Sequence, residues 1–328
     1  MSKMVELPDP PGDIITSLKL SPVYPNHLLA TSIDGQIKLY DIRANTSLQV
    51  LNSTHGGILD SCFLVDSNRS FIGNSDGIIS ELDFINETCN KKIGKPHTNG
   101  IKSLISIDQN SLISGSWDKT FQKIDLRSPQ VSEIYDLPGK VFAMDSSQDK
   151  NKIVIAMSKR LIHIYDPRFI DKPLQVRESG LRYQTRSIKC MPDNQGFVIA
   201  SIEGKVAVEY FDLSNEVQSK KYAFKCHRSK DQTNTNIEQE IVSSVNSLCF
   251  GKENELFTGG SDCNVYLWNY HTKKRSRAFA FDKSVVYMNF NEKYNSLIIG
   301  CSDDSYKAIP YTSAGSKHSD SKIYIQSF

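Results

Sequence analysis

The feature that most constrains this chain is that it repeats itself. Seven segments follow one pattern. An alternating apolar strand leads by a short turn to a second apolar strand ending in small residues. An acidic tight turn follows, then a third strand closing on an aromatic or aliphatic residue, usually with Asp after it. Examples are ITSLKLS…HLLATSIDGQIKLYDIR, IKSLISIDQNSLISGSWDKTFQKIDLR and VNSLCFGKENELFTGGSDCNVYLWNY. The turn positions are Asp34, Asp76, Asp118, Lys159, Glu203, Asp262 and Asp303, spaced by 42, 42, 41, 44, 59 and 41 residues. A period of roughly 40 to 45 with four short strands is that of a propeller blade. The period-2 alternation suits half-buried strands, and no amphipathic helix of three turns is evident. The expectation is a single all-β domain over 1–328, a seven-bladed β-propeller with blades near 13–54, 55–96, 97–138, 139–181, 182–240, 241–282 and 283–328.

The acidic turn has a physical reason. A tight turn between strands needs a residue that bonds its own backbone and tolerates positive φ, and Asp-Gly supplies both at Asp34-Gly35 and Asp76-Gly77. His55 and His97 each precede the turn Asp of their blade by 21 residues. At that spacing an imidazole bonds the carboxylate and locks the blade, a structural rather than catalytic role. A ring of sheets closes by pairing a terminal strand into the last blade, removing a free edge. Either the C-terminal SKIYIQSF or the N-terminal KMVEL supplies that strand. LPDPPGD leads into the ring as a loop, and 313–321 is expected as a surface loop.

Chemistry is thin. There is no HExxH, Walker A loop, GxGxxG or CxxC, and the histidines lack metal-ligand spacing. Neither metal nor cofactor is expected. Gly73-Asn74-Ser75-Asp76-Gly77 matches the GxSxG nucleophile elbow, but that motif needs a helix next, and IISELDF reads as a strand. An enzyme is not expected, and a hydrolase built on Ser75 is a rival to be tested. The seven cysteines, Cys62, Cys89, Cys190, Cys226, Cys249, Cys263 and Cys301, are irregularly spaced and read as reduced, mostly buried thiols of a cytosolic or nuclear protein. The longest apolar run is five residues, Ile153 to Met157, far below the roughly 20 of a membrane span. MSKMVELPDPPGD has no apolar core, so no secretory signal is expected. With 39 Lys+Arg against 37 Asp+Glu, bulk electrostatics do not favour nucleic acid as a partner.

A binding face follows from meander geometry. With strands a to d in each blade, the b–c turns and the d–a connections share one rim, here the top. In the fifth blade Arg182 and Arg186 precede or open strand a, and Lys205 opens strand c. Strand d is KKYAFKC, so Lys225, His227 and Arg228 lie at or beyond its end. Arg186, Lys205, Lys225 and Arg228 are therefore expected in one cationic patch, suited to a carboxylate or phosphate unless they are merely solvated. Trp117, just before the turn Asp118, reaches the same rim, either as an anchor for a partner or packed on neighbouring turns. Trp268 is structural. The basic run 273–277 falls on the bottom or outer c–d turn of the sixth blade, as a solvated turn or else a nuclear or nucleic-acid signal.

The repeats resemble the WD-repeat family. Their closing dipeptides are Tyr40-Asp41, Leu82-Asp83, Ile124-Asp125, Tyr165-Asp166, Phe211-Asp212 and Trp268-Asn269, with Ile309-Pro310 in the seventh. Residues 178–212, KKYAFKCHR and NIEQE further resemble the spindle-checkpoint WD-repeat proteins of the Bub group. That resemblance implies a non-enzymatic spindle-assembly-checkpoint adaptor of the nucleus and kinetochore, partly cytoplasmic. Its implied partners are the GLEBS motifs of a checkpoint kinase and its pseudokinase or inhibitor relative, and phosphorylated Met-Glu-Leu-Thr motifs of the kinetochore scaffold. No membrane partner is implied. By the same resemblance Arg186, Trp117 and Ile33 face the GLEBS peptide, and Lys205 and Lys225 face the phosphothreonine. Arg182, His227 and Arg228 are a supporting basic rim. Ile33 departs from the family, where Trp often stands. The nuclear-pore mRNA-export WD-repeat protein, which binds a GLEBS peptide of a nucleoporin, is the alternative.

Overall fold

Each repeat folds as a four-stranded antiparallel meander because its alternating residues have two faces to bury. The computed structural model describes residues 4–129, 132–230, 240–303 and 321–328. Over these residues there are seven four-stranded sheets and one two-stranded hairpin. The first blade runs Ile15–Leu20, His27–Ser32, Gln36–Asp41 and Thr46–Asn52 as strands a to d. The fifth runs Thr185–Cys190, Gly196–Ser201, Lys205–Tyr210 and Tyr222–Lys225. Between the fifth and sixth blades the hairpin Arg228–Lys230 with Glu240–Val242 accounts for the long spacing after Glu203. The one α-helical turn is Asn215–Gln218. The chain is a seven-bladed propeller.

Strand b is the buried centre of each blade: Ile153–Met157 and Ser296–Cys301 are buried at every position. Seven apolar clusters fill the seven seams between blades. Leu29, Ile37 and Ile58 join the first blade to the second, and Ile298, Ile323 and Leu18 join the seventh to the first. Each fully buried Leu, Ile or Phe contributes about 1.5–3 kcal/mol. The small residues ending strand b let the next blade approach. A Cβ on Gly73 would lie 2.7 Å from Ile101 Cγ2.

The ring closes with both termini, where the sequence left a choice. The seventh sheet has the order Met4–Glu6, Lys322–Ser327, Ser296–Cys301, Val285–Asn291. Its strand c is therefore Lys322–Ser327, and its outer strand d comes from the N-terminus, with Val5 opposite Ile325. This corrects the expectation that the residues up to Ile309-Pro310 form the third strand. Lys322–Ser327 takes that place beside strand b, and 304–320 lie outside the described residues, as does most of the loop expected at 313–321. Leu7 is buried and donates its N–H to Ile323 O at 2.8 Å. The Pro-rich loop is clamped by Lys38 Nζ, 2.9 Å from Asp9 Oδ2, and by Tyr40 OH, 2.7 Å from Asp9 O.

The b–c turns place a left-handed residue after the acid: Gly35 at φ 88°, Gly77 at 84°, Lys119 at 69°, Gly204 at 60° and Cys263 at 61°. In the fourth blade, which has no acid there, a 3₁₀ turn puts Lys159 at φ 64°. The repeat-closing acids Asp41, Asp83, Asp125 and Asp166 accept backbone N–H bonds two residues on, fastening the c–d turns. Ser75 is exposed in a turn between strands Ser70–Asn74 and Ile79–Asp83, with no helix after it.

Candidate functional site

In every blade, strand a carries a bulge after its first residue. The extra residue is Thr16, Leu59, Lys102, Phe142, Arg186, Asn246 or Val286. A bulge re-aims a side chain, and here all seven turn to the mouth of the central channel, where they line two adjoining cavities. One, of about 290 Å³, also takes in Ile33 and Trp117. The other, of about 190 Å³, is lined by Lys102, Lys140 and Arg186 with Trp117 and Phe142. Arg186, Trp117 and Ile33 are thus brought together at one cavity.

Trp117 lies flat against the backbone at Gly100, where a Cβ would come within 3.0 Å of its Cε3. Ile33 holds the same place in the first blade, one residue before its turn acid. Arg186 Nε is buried without a hydrogen-bond partner. Burial, with Arg186 and Lys19 nearby, holds the Lys102 ammonium below the ordinary lysine range against the pull of Asp60. Three cations, Lys102, Lys140 and Arg186, beside aromatic walls give this mouth a chemistry suited to a carboxylate flanked by apolar groups. Lys102 and Phe142 were missed in the sequence. Their signal was the second residue of each repeat, the variable position in I-x-S-L, which reads as solvent-facing until the bulge is known.

The blade-5 rim is a second locus. Lys205 opens strand c, Lys225 ends strand d, and the two are register partners. Lys205 Nζ lies 2.7 Å from Glu203 Oε2, and Lys225 Nζ lies 3.8 Å from Glu240 Oε2. Arg228 donates to the carbonyls of Glu203 at 2.7 Å and Gly204 at 3.3 Å, and to Glu240 at 2.6 Å. Burial alone would raise the Glu203 carboxyl, but the Lys205 ammonium and the Arg182 N–H hold it below the usual range. The Arg228 guanidinium likewise lowers Glu240. Arg182 is exposed and contributes its backbone N–H to Glu203 Oε1 at 2.8 Å.

Two expectations change. Arg186 does not share one patch with Lys205. It stands on strand a at the channel, two strand positions or roughly 10 Å inward of strand c. His227 is not a rim cation. It is 1 % exposed, with Nδ1 2.7 Å from Asp262 and Nε2 2.9 Å from Thr258, which also accepts from Trp268 Nε1 at 3.0 Å. It is the blade-locking histidine of the sixth blade, hidden because the hairpin lengthens its spacing to Asp262. His97 has the same role, 3.0 Å from Asp118 and 2.9 Å from Ser114. His55 is looser, 3.6 Å from Asp76. The run 273–277 begins in a turn and continues into strand Lys274–Ala280, where Lys273, Arg275 and Arg277 stack over Tyr222, Tyr266 and Phe328.

Among the described residues, no group of three or more His, Cys, Asp or Glu could hold a metal ion, and no helix is long and apolar enough to cross a membrane. All seven cysteines are free, and six are buried.

The seven blades are propeller repeats, and residues 88–125 and 238–269 match the WD domain, G-beta repeat family. The chain is 37% identical over 305 residues to the mitotic checkpoint protein bub3 of Dictyostelium discoideum, covering 92% of this chain and 89% of that one. It is 35% identical to the mitotic checkpoint protein BUB3.1 of Arabidopsis thaliana, over 90% and 86% of the two chains. With the spindle assembly checkpoint protein bub3 of Schizosaccharomyces pombe the identity is 36%, over 88% of each chain. The chain belongs to the bub3 family of mitotic checkpoint WD-repeat proteins.

Proposed function

We propose that this propeller is a non-enzymatic adaptor of the spindle assembly checkpoint that holds two peptides on its top face. The channel mouth takes an acidic GLEBS peptide of a checkpoint kinase or of its pseudokinase or inhibitor relative. Arg186 and Lys102 meet the acid, and Trp117 and Ile33 the apolar flanks. The blade-5 rim takes the phosphothreonine of Met-Glu-Leu-Thr motifs in the kinetochore scaffold. Joining the two recruits the kinase to unattached kinetochores, and the protein works in the nucleus and at kinetochores, with a cytoplasmic share.

The observation that carries this reading is the register pairing of Lys205 with Lys225. Two lysines that face each other across a strand pair suit a group carrying about −1.5 to −2 charges better than a single carboxylate. Membership of the checkpoint family supports the process, and the separation of the two loci supports simultaneous binding. Calorimetric titration with the Met-Glu-Leu-Thr peptide, phosphorylated and not, in the presence of a GLEBS peptide tests it. Phosphate-dependent binding is expected, and equal binding of both forms contradicts the reading.

A further inference from the structure

Two carboxylates neutralise the blade-5 cations, and they differ in kind. Glu203 is 8 % exposed and belongs to the turn, bonded by Lys205 Nζ at 2.7 Å and by the Arg182 N–H at 2.8 Å. Glu240 comes from outside the blade, on the return strand of the hairpin. Its side chain is 47% exposed, and among the described residues its carboxylate is held by Arg228 at 2.6 Å and Lys225 at 3.8 Å.

We propose that Glu240 is a built-in competitor, occupying the phosphate position at Lys225 and Arg228 until a phosphothreonine displaces it. The hairpin thereby sets a threshold that any incoming anion must overcome. This rests on the phosphopeptide reading above. With Glu240 in place, three cations face two carboxylates and the locus is +1. With Glu240 displaced it is +2, the complement of a phosphate dianion. A carboxylate ligand only exchanges one monoanion for another and gains no charge pairing. A dianion gains one further pair.

The test is titration calorimetry on the full chain, wild type and Glu240→Gln, with the phosphothreonine peptide and its Thr→Glu counterpart. Glu240 is exposed, so an unchanged melting temperature is expected to accompany the substitution. Removing an exposed charge pair of this kind is expected to tighten phosphopeptide binding about two- to fivefold. The Thr→Glu peptide gains by the same factor, because both ligands displace the same competitor. Equal or weaker phosphopeptide affinity in Glu240→Gln overturns the inference while leaving the phosphate site standing. A wild type that binds phosphorylated and unphosphorylated peptides alike overturns the phosphate site and this inference together.

Discussion

Lys205 and Lys225 face each other across an antiparallel strand pair, the first residue of strand c against the last of strand d. Like charges directly opposite destabilise a sheet. The protein tolerates the pair by bringing one carboxylate to each, Glu203 from the turn and Glu240 from the hairpin. Positive charge concentrated on a rim and neutralised from the side is an arrangement for an incoming anion.

The channel mouth makes a separate prediction. Trp117→Ala and Arg186→Ala are each expected to weaken an acidic GLEBS peptide by about 2 kcal/mol or more, the size of a buried anchor. Arg186→Lys recovers only part, because it loses the bidentate fork. Titration calorimetry measures this, and phosphopeptide affinity at the blade-5 rim is expected to hold. A parallel loss at both loci would contradict their independence.

The buried His97 predicts acid sensitivity. Burial holds the pKa of His97 below its ordinary value of 6.5, outweighing Asp118. The unfolded chain therefore binds the proton first. The stability contributed by neutral His97 is fully present above about pH 6.5 and is lost as pH falls toward the folded value. His97→Ala leaves Ser114 Oγ without its partner, removes one of several bonds to Asp118, and costs about 1–3 kcal/mol at neutral pH. Thermal melts at several pH values check both, and the variant's melting temperature is expected to fall less on acidification.

How much of this was legible depended on what sets each feature. The blades were visible because alternation and the turn acid are local, as at Asp34-Gly35. Lys205 and Lys225 could be paired on paper because both flank turns of known sense. The placement of Arg186 could not, since a bulge is a register event between strands and leaves only a variable residue such as Lys102 as its trace. His227 was hidden by the inserted hairpin. The seventh blade was misjudged because its strand c follows an insertion and its strand d comes from the other end of the chain, two non-local pairings that no repeat length reveals.

Ring closure by the N-terminus predicts that Leu7 matters beyond its position near a chain end. It is 1 % exposed in the seam between the seventh and first blades. Leu7→Ala is expected to cost about 2–5 kcal/mol. Denaturant unfolding measures it, and a change within experimental error would contradict closure through this strand.

The GxSxG match predicts opposite effects at neighbouring positions. A Cβ on Gly73 would meet Ile101 Cγ2 at 2.7 Å, so Gly73→Ala is expected to destabilise by about 1–3 kcal/mol through overpacking. Ser75 is exposed in the turn, and Ser75→Ala is expected to change stability by no more than about 0.5 kcal/mol. Ester turnover by the wild type that disappears in Ser75→Ala would contradict the structural reading of this turn.

The central claim is that paired lysines on the blade-5 rim receive a phosphate. It is tested most directly by titrating the phosphorylated Met-Glu-Leu-Thr peptide, with a GLEBS peptide present, into wild type and a Lys205→Ala/Lys225→Ala double variant. The wild type is expected to bind and to require the phosphate. The double variant is expected to lose about 3 kcal/mol or more, two charge-assisted bonds, while keeping its GLEBS affinity. Undiminished phosphopeptide binding in the double variant would contradict the account.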